Sequence, residues 1–235
     1  RVWNPTAGGA AIEAEPEGHS NDVMSLVNFV DPATGALRVA TGSYEEIRVW
    51  DAETGDVLLV IEVGKRVDAL AFFVDLATGE PRLACGTDSY KHCDVRIYDP
   101  VAGGEALLVL EGHTKYVRAL TVFEDLATGD LRLASGSLDT SVRVWDLTAG
   151  GAALFVLEVG SWVNALTAFM LPATGETRFA SGSRDKTLRV WDASTGAALQ
   201  VVAFDDEVCA LTVGRDKSGL FVAFGKRWGE LRVES

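Results

Sequence analysis

Val142-Arg143-Val144-Trp145-Asp146 is the stretch that decides the fold, because near copies of it recur along the chain. The aromatic residues of successive copies are 48, 47 and 46 residues apart. The other copies are Ile47-Arg48-Val49-Trp50-Asp51, Val95-Arg96-Ile97-Tyr98-Asp99 and Leu188-Arg189-Val190-Trp191-Asp192. A constant period of this length indicates one supersecondary unit repeated in a ring or a stack.

Each unit contains four short apolar or alternating runs that are separated by turns. Residues 131–137, for example, alternate between apolar and polar side chains with the period of a strand. The turn at 125–129 before them ends in Gly129, which supplies the positive φ that a chain reversal needs. Four strands of about 5 or 6 residues with tight turns predict an antiparallel sheet, and no segment has a convincing helical pattern.

The third unit carries the most specific pattern. Gly112-His113 precedes its first strand, Ser135-Gly136 ends its second, Asp139 lies in the next turn and Trp145-Asp146 ends its third. This arrangement resembles the WD-repeat family of β-propellers. The resemblance implies that His113, Ser135, Asp139 and Trp145 form a hydrogen-bonded chain that stabilises the blade and has no catalytic role. We expect the full set only in this unit. The first unit has a shortened turn at 43–46, the second lacks the histidine and the tryptophan, the fourth lacks the histidine, and the fifth lacks the aspartate and the tryptophan.

The repeat pattern predicts one all-β domain over residues 1–235, a β-propeller of five four-stranded antiparallel blades. We expect an N-terminal strand at residues 10–14 to close the ring as the fourth strand of blade five, which removes exposed sheet edges. In that blade we place the third strand at 230–234, with Trp228 at the aspartate position. The alternative is a segment of a six- or seven-bladed ring. The predicted blades are 23–61, 67–110, 117–157, 163–202 and 208–234 plus 10–14.

Composition and charge exclude several classes of partner. The 235 residues are 48% apolar, and 21 basic against 34 acidic residues give a net charge of −13. Nucleic acids and anionic membranes attract basic surfaces, so we predict binding to neither. We also find no apolar run of the 18 or more residues that span a bilayer. Three cysteines without a disulfide framework favour a reducing compartment. We therefore expect a soluble, cytoplasmic and monomeric protein.

The sequence has no recognisable catalytic pattern. GxSxG and HExxH are absent, and no acidic loop has calcium-ligand spacing. Asp31, Asp75 and Asp125 occupy one turn position in successive blades. That register separates them far beyond the roughly 5 to 10 Å of an acid–base pair, so we interpret them as turn residues. We predict no enzymatic activity, no catalytic residue, no cofactor and no metal.

Binding residues are expected where the repeats differ. The positions on either side of each first-strand valine vary from blade to blade, and in the family that this chain resembles they border the central channel. Aromatic and arginine side chains commonly anchor interfaces. The predicted partner-binding set is Arg66, Tyr116, Arg118, Trp162, Asn164 and Arg184. These side chains could instead fill the channel.

We therefore predict a non-catalytic scaffold that presents one face to a protein or peptide partner. The alternative is a propeller that binds a small ligand or a carbohydrate, as a lectin does. A multivalent lectin would repeat the same ligand-binding side chains in every blade, whereas the varying positions here differ. The sequence favours the scaffold.

Overall fold

A computed structural model describes residues 18–88, 93–126, 128–171, 174–214 and 220–231. The regular elements within these ranges are strands, and they form five antiparallel sheets in chain order. Consecutive sheets pack against each other from the first to the fifth. The predicted all-β propeller of five blades is confirmed, with four strands in each of blades one to four and three described strands in blade five.

The strands lie close to the predicted runs. Blade one contains β1 (Ser25–Val30), β2 (Leu37–Gly42), β3 (Glu46–Asp51) and β4 (Val57–Glu62). Blade two contains β5 (Arg66–Val74), β6 (Pro81–Asp88), β7 (Asp94–Tyr98) and β8 (Leu108–Glu111). Blade three contains β9 (Val117–Asp125), β10 (Asp130–Ser137), β11 (Ser141–Asp146) and β12 (Phe155–Glu158). Blade four contains β13 (Val163–Met170), β14 (Thr177–Ser183), β15 (Thr187–Asp192) and β16 (Ala198–Ala203). Blade five contains β17 (Val208–Val213), β18 (Leu220–Phe224) and β19 (Arg227–Leu231).

Recurring acidic turns connect the first two strands of the blades, as predicted. In blade one, Gly35 adopts a φ of 72° and its N–H donates to the Asp31 carbonyl at 2.8 Å. The Asp31 carboxylate accepts hydrogen bonds from the backbone of Ala33 and the hydroxyl of Thr34. Asp75 accepts from the backbone of Ala77 in the same way. These carboxylates therefore stabilise turns.

A glycine–valine contact joins each blade to the next. In all four interfaces a second-strand glycine packs against the first-strand valine of the following blade, and each of these valines is fully buried. The pairs are Gly42 with Val67, Gly86 with Val117, Gly136 with Val163 and Gly182 with Val208. A Cβ atom at these glycines would lie 2.4 to 2.7 Å from a valine Cγ1. The interfaces therefore need the close approach that only glycine permits.

Blade five departs from the predicted register. A two-residue turn at Gly225 and Lys226 starts its third strand at Arg227, three residues before the predicted start at 230. Because β19 starts early, Trp228 pairs with Ala223 inside the strand and is 76% exposed. The expectation that Trp228 occupies the turn position of the aspartate is therefore wrong. The tight hairpin, with Gly225 at a φ of 55°, replaces the longer connection of the other blades.

The first strand of blade one carries an uncovered apolar face. Val23 and Leu26 are 51% and 64% exposed, although the valines at the position of Val23 are fully buried in the other four blades. Blade five lacks the glycine that contacts the next blade in the other interfaces. Ala223 takes its place and pairs with Ala210, as Gly182 pairs with Ala165 in blade four. The predicted closing strand at 10–14 lies outside the described residues.

Within the described residues, no helix has the length and apolar character needed to cross a membrane.

Candidate functional site

The structure brings the four predicted residues of blade three together in one hydrogen-bonded chain. His113 contacts Asp139 Oδ2 through Nδ1 and Ser135 Oγ through Nε2, each at 2.7 Å. The Trp145 indole N–H donates to the same Ser135 Oγ at 2.8 Å. His113, Ser135 and Trp145 are all buried. Each of these buried polar groups has a hydrogen-bond partner. Together the hydrogen bonds join the loop before β9 to β10 and β11.

Blade one contains an equivalent chain that sequence reasoning missed. His19 contacts Glu46 Oε1 through Nδ1 and Thr41 Oγ1 through Nε2, each at 2.7 Å, and the Trp50 indole donates to Thr41 Oγ1 at 2.7 Å. The expectation that only blade three carries a full set is therefore wrong. The turn at 43–46 lacks the aspartate, but the longer glutamate side chain at the start of β3 reaches the same histidine nitrogen. Threonine supplies the hydroxyl that serine supplies in blade three.

In blades two and four the carboxylate is bound by a lysine or an arginine and not by a histidine. In blade two, Lys65 Nζ contacts Asp94 Oδ2 at 2.7 Å, and the Thr87 hydroxyl donates to Asp94 Oδ1 at 2.6 Å. In blade four, Arg189 contacts Asp185 at 2.9 Å, and Trp191 donates to Ser181 at 2.9 Å. A carboxylate with charged or hydroxyl donors therefore recurs in each of these four blades.

The aspartate that ends the repeated phrase stabilises the turn that follows it. Asp146 Oδ1 accepts the backbone N–H groups of Thr148 and Ala149 at 2.8 and 2.9 Å. Its Oδ2 accepts from Arg132 at 2.5 Å. Asp51 and Asp192 have equivalent backbone and arginine partners. The tryptophan and aspartate of the repeat therefore have structural roles.

Substitution of Asp139 by alanine tests the chain of blade three. We expect a loss of about 1 to 3 kcal/mol in unfolding free energy, because His113 and Ser141 lose their buried acceptor. His113→Ala should have a similar effect. Urea unfolding gives the measurement, with Asp56→Ala, an exposed carboxylate, as the control. Equal midpoints for the wild type and Asp139→Ala would contradict a stabilising role.

The same substitution should change how stability depends on pH. Burial alone would raise the pKa of Asp139, but hydrogen bonds from His113, Ser141 and the backbone of Thr114 hold that pKa well below its ordinary value. A carboxylate with a lowered folded-state pKa stabilises the fold above its unfolded pKa and loses this effect as the pH falls. The difference in midpoint between wild type and Asp139→Ala should therefore narrow from neutral pH towards about pH 3. A constant difference would contradict this prediction.

The predicted binding residues lie at the end of the array where the first strands begin, which we call the first-strand face. It comprises the starts of β5, β9 and β13 and the neighbouring turns between second and third strands. Trp162 is 40% exposed there, and the Arg184 guanidinium lies 4.1 Å from its ring centroid. Arg184 Nε also contacts Glu207 Oε1 at 3.2 Å. Residues of blade four and of the loop before blade five thus contact one another beside the exposed ring of Trp162.

A second group of side chains lies at the start of β5. The Arg66 guanidinium lies 5.4 Å from the centroid of the Tyr44 ring, and its NH2 contacts Asp68 Oδ1 at 2.8 Å. Its NH1 lies 3.9 Å from Asp88 Oδ2. Burial raises the pKa of Asp88, and the charge of Asp68 raises it further. Sequence reasoning selected Arg66 but not Tyr44, Asp68 or Asp88; the pairing of β5 with β6 brings Asp88 beside Arg66, and Tyr44 reaches it from blade one.

The remaining three predicted residues differ in their surroundings. Arg118 is exposed at the start of β9. Tyr116 is half-buried against the apolar cluster between blades two and three. Asn164 is half-buried and donates to the Val208 carbonyl of blade five at 3.3 Å. Exposure therefore makes Trp162, Arg118 and Arg184 the accessible members, while Tyr116 and Asn164 also contribute to packing between blades.

The described residues outside this face show no clear reactive site, and of the three free cysteines Cys85 and Cys93 are buried while Cys209 is exposed. Burial raises the pKa of the Cys85 thiol to about 12, which disfavours the nucleophilic thiolate. Among the described residues, His, Cys, Asp and Glu form no group of three or more that could hold a metal ion. The carboxylates at Asp31 and Asp75 accept turn hydrogen bonds, as described above. The first-strand face, where exposed aromatic and charged side chains lie together, is therefore the candidate site.

Comparison with known protein families matches residues 104–146 and 154–192 to the WD domain, G-beta repeat. The first range contains the last strand of blade two, the histidine loop and the first three strands of blade three, and the second contains the last strand of blade three and the first three strands of blade four. A search of curated proteins found no significant match. Two stretches of the chain are therefore similar to WD repeats, and they lie in an array of five consecutive propeller blades.

Proposed function

We propose that this protein is a non-catalytic scaffold that binds a protein or peptide partner on its first-strand face. WD-repeat propellers commonly act as protein-interaction scaffolds. The observation that carries the proposal is the pair of Trp162 and Arg184, an exposed aromatic ring stacked with a guanidinium. Tryptophan and arginine are the side chains that most often anchor interfaces, and the stacking reduces the entropy lost on binding.

The differences between blades favour one extended partner over repeated small ligands. The position after the first-strand valine holds Asp68, Arg118, Asn164 and Cys209 in blades two to five. These side chains differ in charge, size and hydrogen-bonding capacity, so they offer no repeated pocket. A partner that contacts several blades at once fits this variation, whereas a multivalent carbohydrate-binding module would need equivalent pockets. A glycan array that shows specific, saturable binding would support the alternative.

We further propose a monomeric protein in the cytoplasm. None of its three cysteines forms a disulfide, and Cys85 and Cys93 are buried inside blade two. This use of cysteine supports a reducing compartment. Size-exclusion chromatography with light scattering tests the monomer, and localisation of a fluorescent fusion tests the compartment.

Trp162→Ala and Arg118→Ala test the scaffold function. A partner captured from lysate on the immobilised protein is identified and then titrated against each variant. We expect each substitution to weaken binding at least about fivefold, near 1 kcal/mol, while the urea midpoint changes little. The exposed Trp162 makes few core contacts, and Arg118 lies in solvent.

Leu126→Ala provides the matched control for Trp162→Ala. Leu126 is 53% exposed in the turn at the other end of blade three, so its loss should leave binding unchanged. Equal binding by Trp162→Ala, Arg118→Ala and Leu126→Ala would place the interface elsewhere. Loss of folding in Trp162→Ala would show that the side chain serves packing.

A further inference from the structure

Asp68 presents a buried carboxylate oxygen without a hydrogen-bond donor at the first-strand face. It lies in a β-bulge between Val67 and Ala69 of the innermost strand of blade two. Its side chain is only 2% exposed, and Oδ1 contacts Arg66 NH2 at 2.8 Å. Oδ2 is buried and receives no hydrogen bond within the described residues. A buried acceptor without a donor costs about 1 to 3 kcal/mol, so this atom is poised to bind one.

The register of Asp68 shows where a donor can arrive. The equivalent positions of blades one, three and five hold Met24, Arg118 and Cys209, which are exposed, and that of blade four holds Asn164, which is half-buried. This register position therefore faces the accessible end of the ring of innermost strands. Asp68 is covered there by its neighbour Arg66, whose side chain is 22% exposed. An arginine side chain can change its rotamer to admit a ligand, whereas a backbone segment cannot.

The surroundings of Asp68 favour a positive ligand. Asp68 and Asp88 both lie within 4 Å of Arg66, which is their only direct ion-pair partner among the described residues. Arg118 acts on Asp88 from the next blade without an ion-pair contact. Two carboxylates thus share one contacting guanidinium, and the pKa of Asp88 is raised by burial and by Asp68. An added cation would offset the excess negative charge at this position.

The number of carboxylate oxygens without a donor restricts the kind of cation. Asp68 has one such oxygen, Oδ2, whereas a guanidinium binds best to both oxygens of a carboxylate. A lysine ammonium is compact and can donate to a single oxygen. Arg66 Nε is also buried and has no acceptor within the described residues. A peptide that carries a lysine offers both groups, an ammonium donor and a backbone carbonyl acceptor.

We propose that Asp68 and Arg66 form a recognition site for a lysine residue of the partner. The ammonium donates to Asp68 Oδ2, and a carbonyl of the same peptide accepts from Arg66 Nε. This inference rests on the proposed scaffold function and specifies the chemistry of the partner. It places the lysine between the exposed Arg118 of blade three and the Tyr44–Arg66 stack of blade one and blade two.

The test uses two small probes that differ only by the ammonium group. N-acetyl-lysine methylamide and N-acetyl-norleucine methylamide are titrated into the ¹⁵N-labelled full chain, and amide shifts are followed at Asp68, Ala69 and Arg118. We expect saturable shifts with the lysine probe and binding about tenfold weaker, or none, with norleucine. Absence of saturation with the lysine probe, or equal affinity for both probes, would overturn the proposal.

Two variants and a control make the assignment specific. Asp68→Asn removes the charge at nearly constant shape and should abolish lysine binding, while Asp75→Asn, a half-buried turn carboxylate at the other end of β5, should retain it. Arg66→Lys keeps the positive charge but removes the Nε donor to the peptide carbonyl, and should weaken binding of the lysine probe about threefold, which keeps the test decisive if Asp68→Asn does not fold. Equal binding by Asp68→Asn and Asp75→Asn, or unchanged binding by Arg66→Lys, would overturn the proposal.

The outcome is separable from that of the proposed function. If partner binding depends on Trp162 but the lysine probe does not bind, the scaffold function stands and the lysine site is wrong. If the lysine probe binds at Asp68 but partner binding is insensitive to Trp162 and Arg118, the lysine site stands and the proposed interface fails.

Discussion

Replacement of Trp145 by alanine is expected to lower the unfolding free energy by about 3 to 5 kcal/mol. Trp145 is fully buried and packs with Val95, Leu110 and other residues of the cluster between blades two and three. Its ring also meets that of His113 edge-on, with 6.2 Å between centroids. The substitution therefore leaves a cavity between two blades and removes the indole donor to Ser135.

Trp228→Ala is the matched control, because it removes the same side chain from a different environment. Trp228 is 76% exposed, and its described ring contact is with Phe221 at 6.5 Å between centroids. We expect a change within about 0.5 kcal/mol. Urea unfolding followed by circular dichroism measures both variants without relying on tryptophan fluorescence. Similar losses in the two variants would contradict the different burial of the two residues.

Gly182→Ala is expected to lower the unfolding free energy by about 3 kcal/mol, at the upper end of the usual cost of overpacking. A Cβ atom at this position would lie 2.4 Å from Val208 Cγ1 and 3.5 Å from the Val208 carbonyl oxygen. Val208 is fully buried at the start of β17, so it has little space into which to move. The substitution therefore separates blade five from blade four.

A second substitution tests whether the valine is the cause of that loss. Val208→Ala in the Gly182→Ala background removes the clashing Cγ1 and should restore part of the stability, although Val208→Ala alone is destabilising. Gly229→Ala is the control glycine, because its Cβ would meet only Phe224 Cε1 at an ordinary 3.7 Å. Additive losses in the double variant would show that the glycine matters for a reason other than this contact.

Most of the fold could be predicted because its information is local and repeated. The phrase around Trp145 recurs at a nearly constant period, and each turn with an aspartate and a glycine marks a reversal. These signals placed the strands of blades one to four within a few residues. Blade five was placed less well, since its degraded phrase at 231–235 suggested a register that the short turn at Gly225 overrides.

The candidate site was only partly predictable. Variation beside the first-strand valines selected Arg66, Arg118 and Trp162, because those positions differ within an otherwise regular repeat. The same criterion selected Asn164, which donates to a backbone carbonyl of the next blade. Position in the repeat shows that a side chain lies near the channel, but it does not show whether that side chain is exposed.

The sequence by itself determined the repeat, the strand order and the turns, because these depend on residues that are close together in the chain. Only the tertiary structure decided which distant groups meet. Glu46 replaces the missing aspartate beside His19 because a longer side chain reaches the same nitrogen from β3. Asp68 has an oxygen that receives no hydrogen bond within the described residues, and it shares Arg66 with Asp88 of the neighbouring strand. Burial and hydrogen bonding depend on distances in space, and the repeat period does not specify those distances.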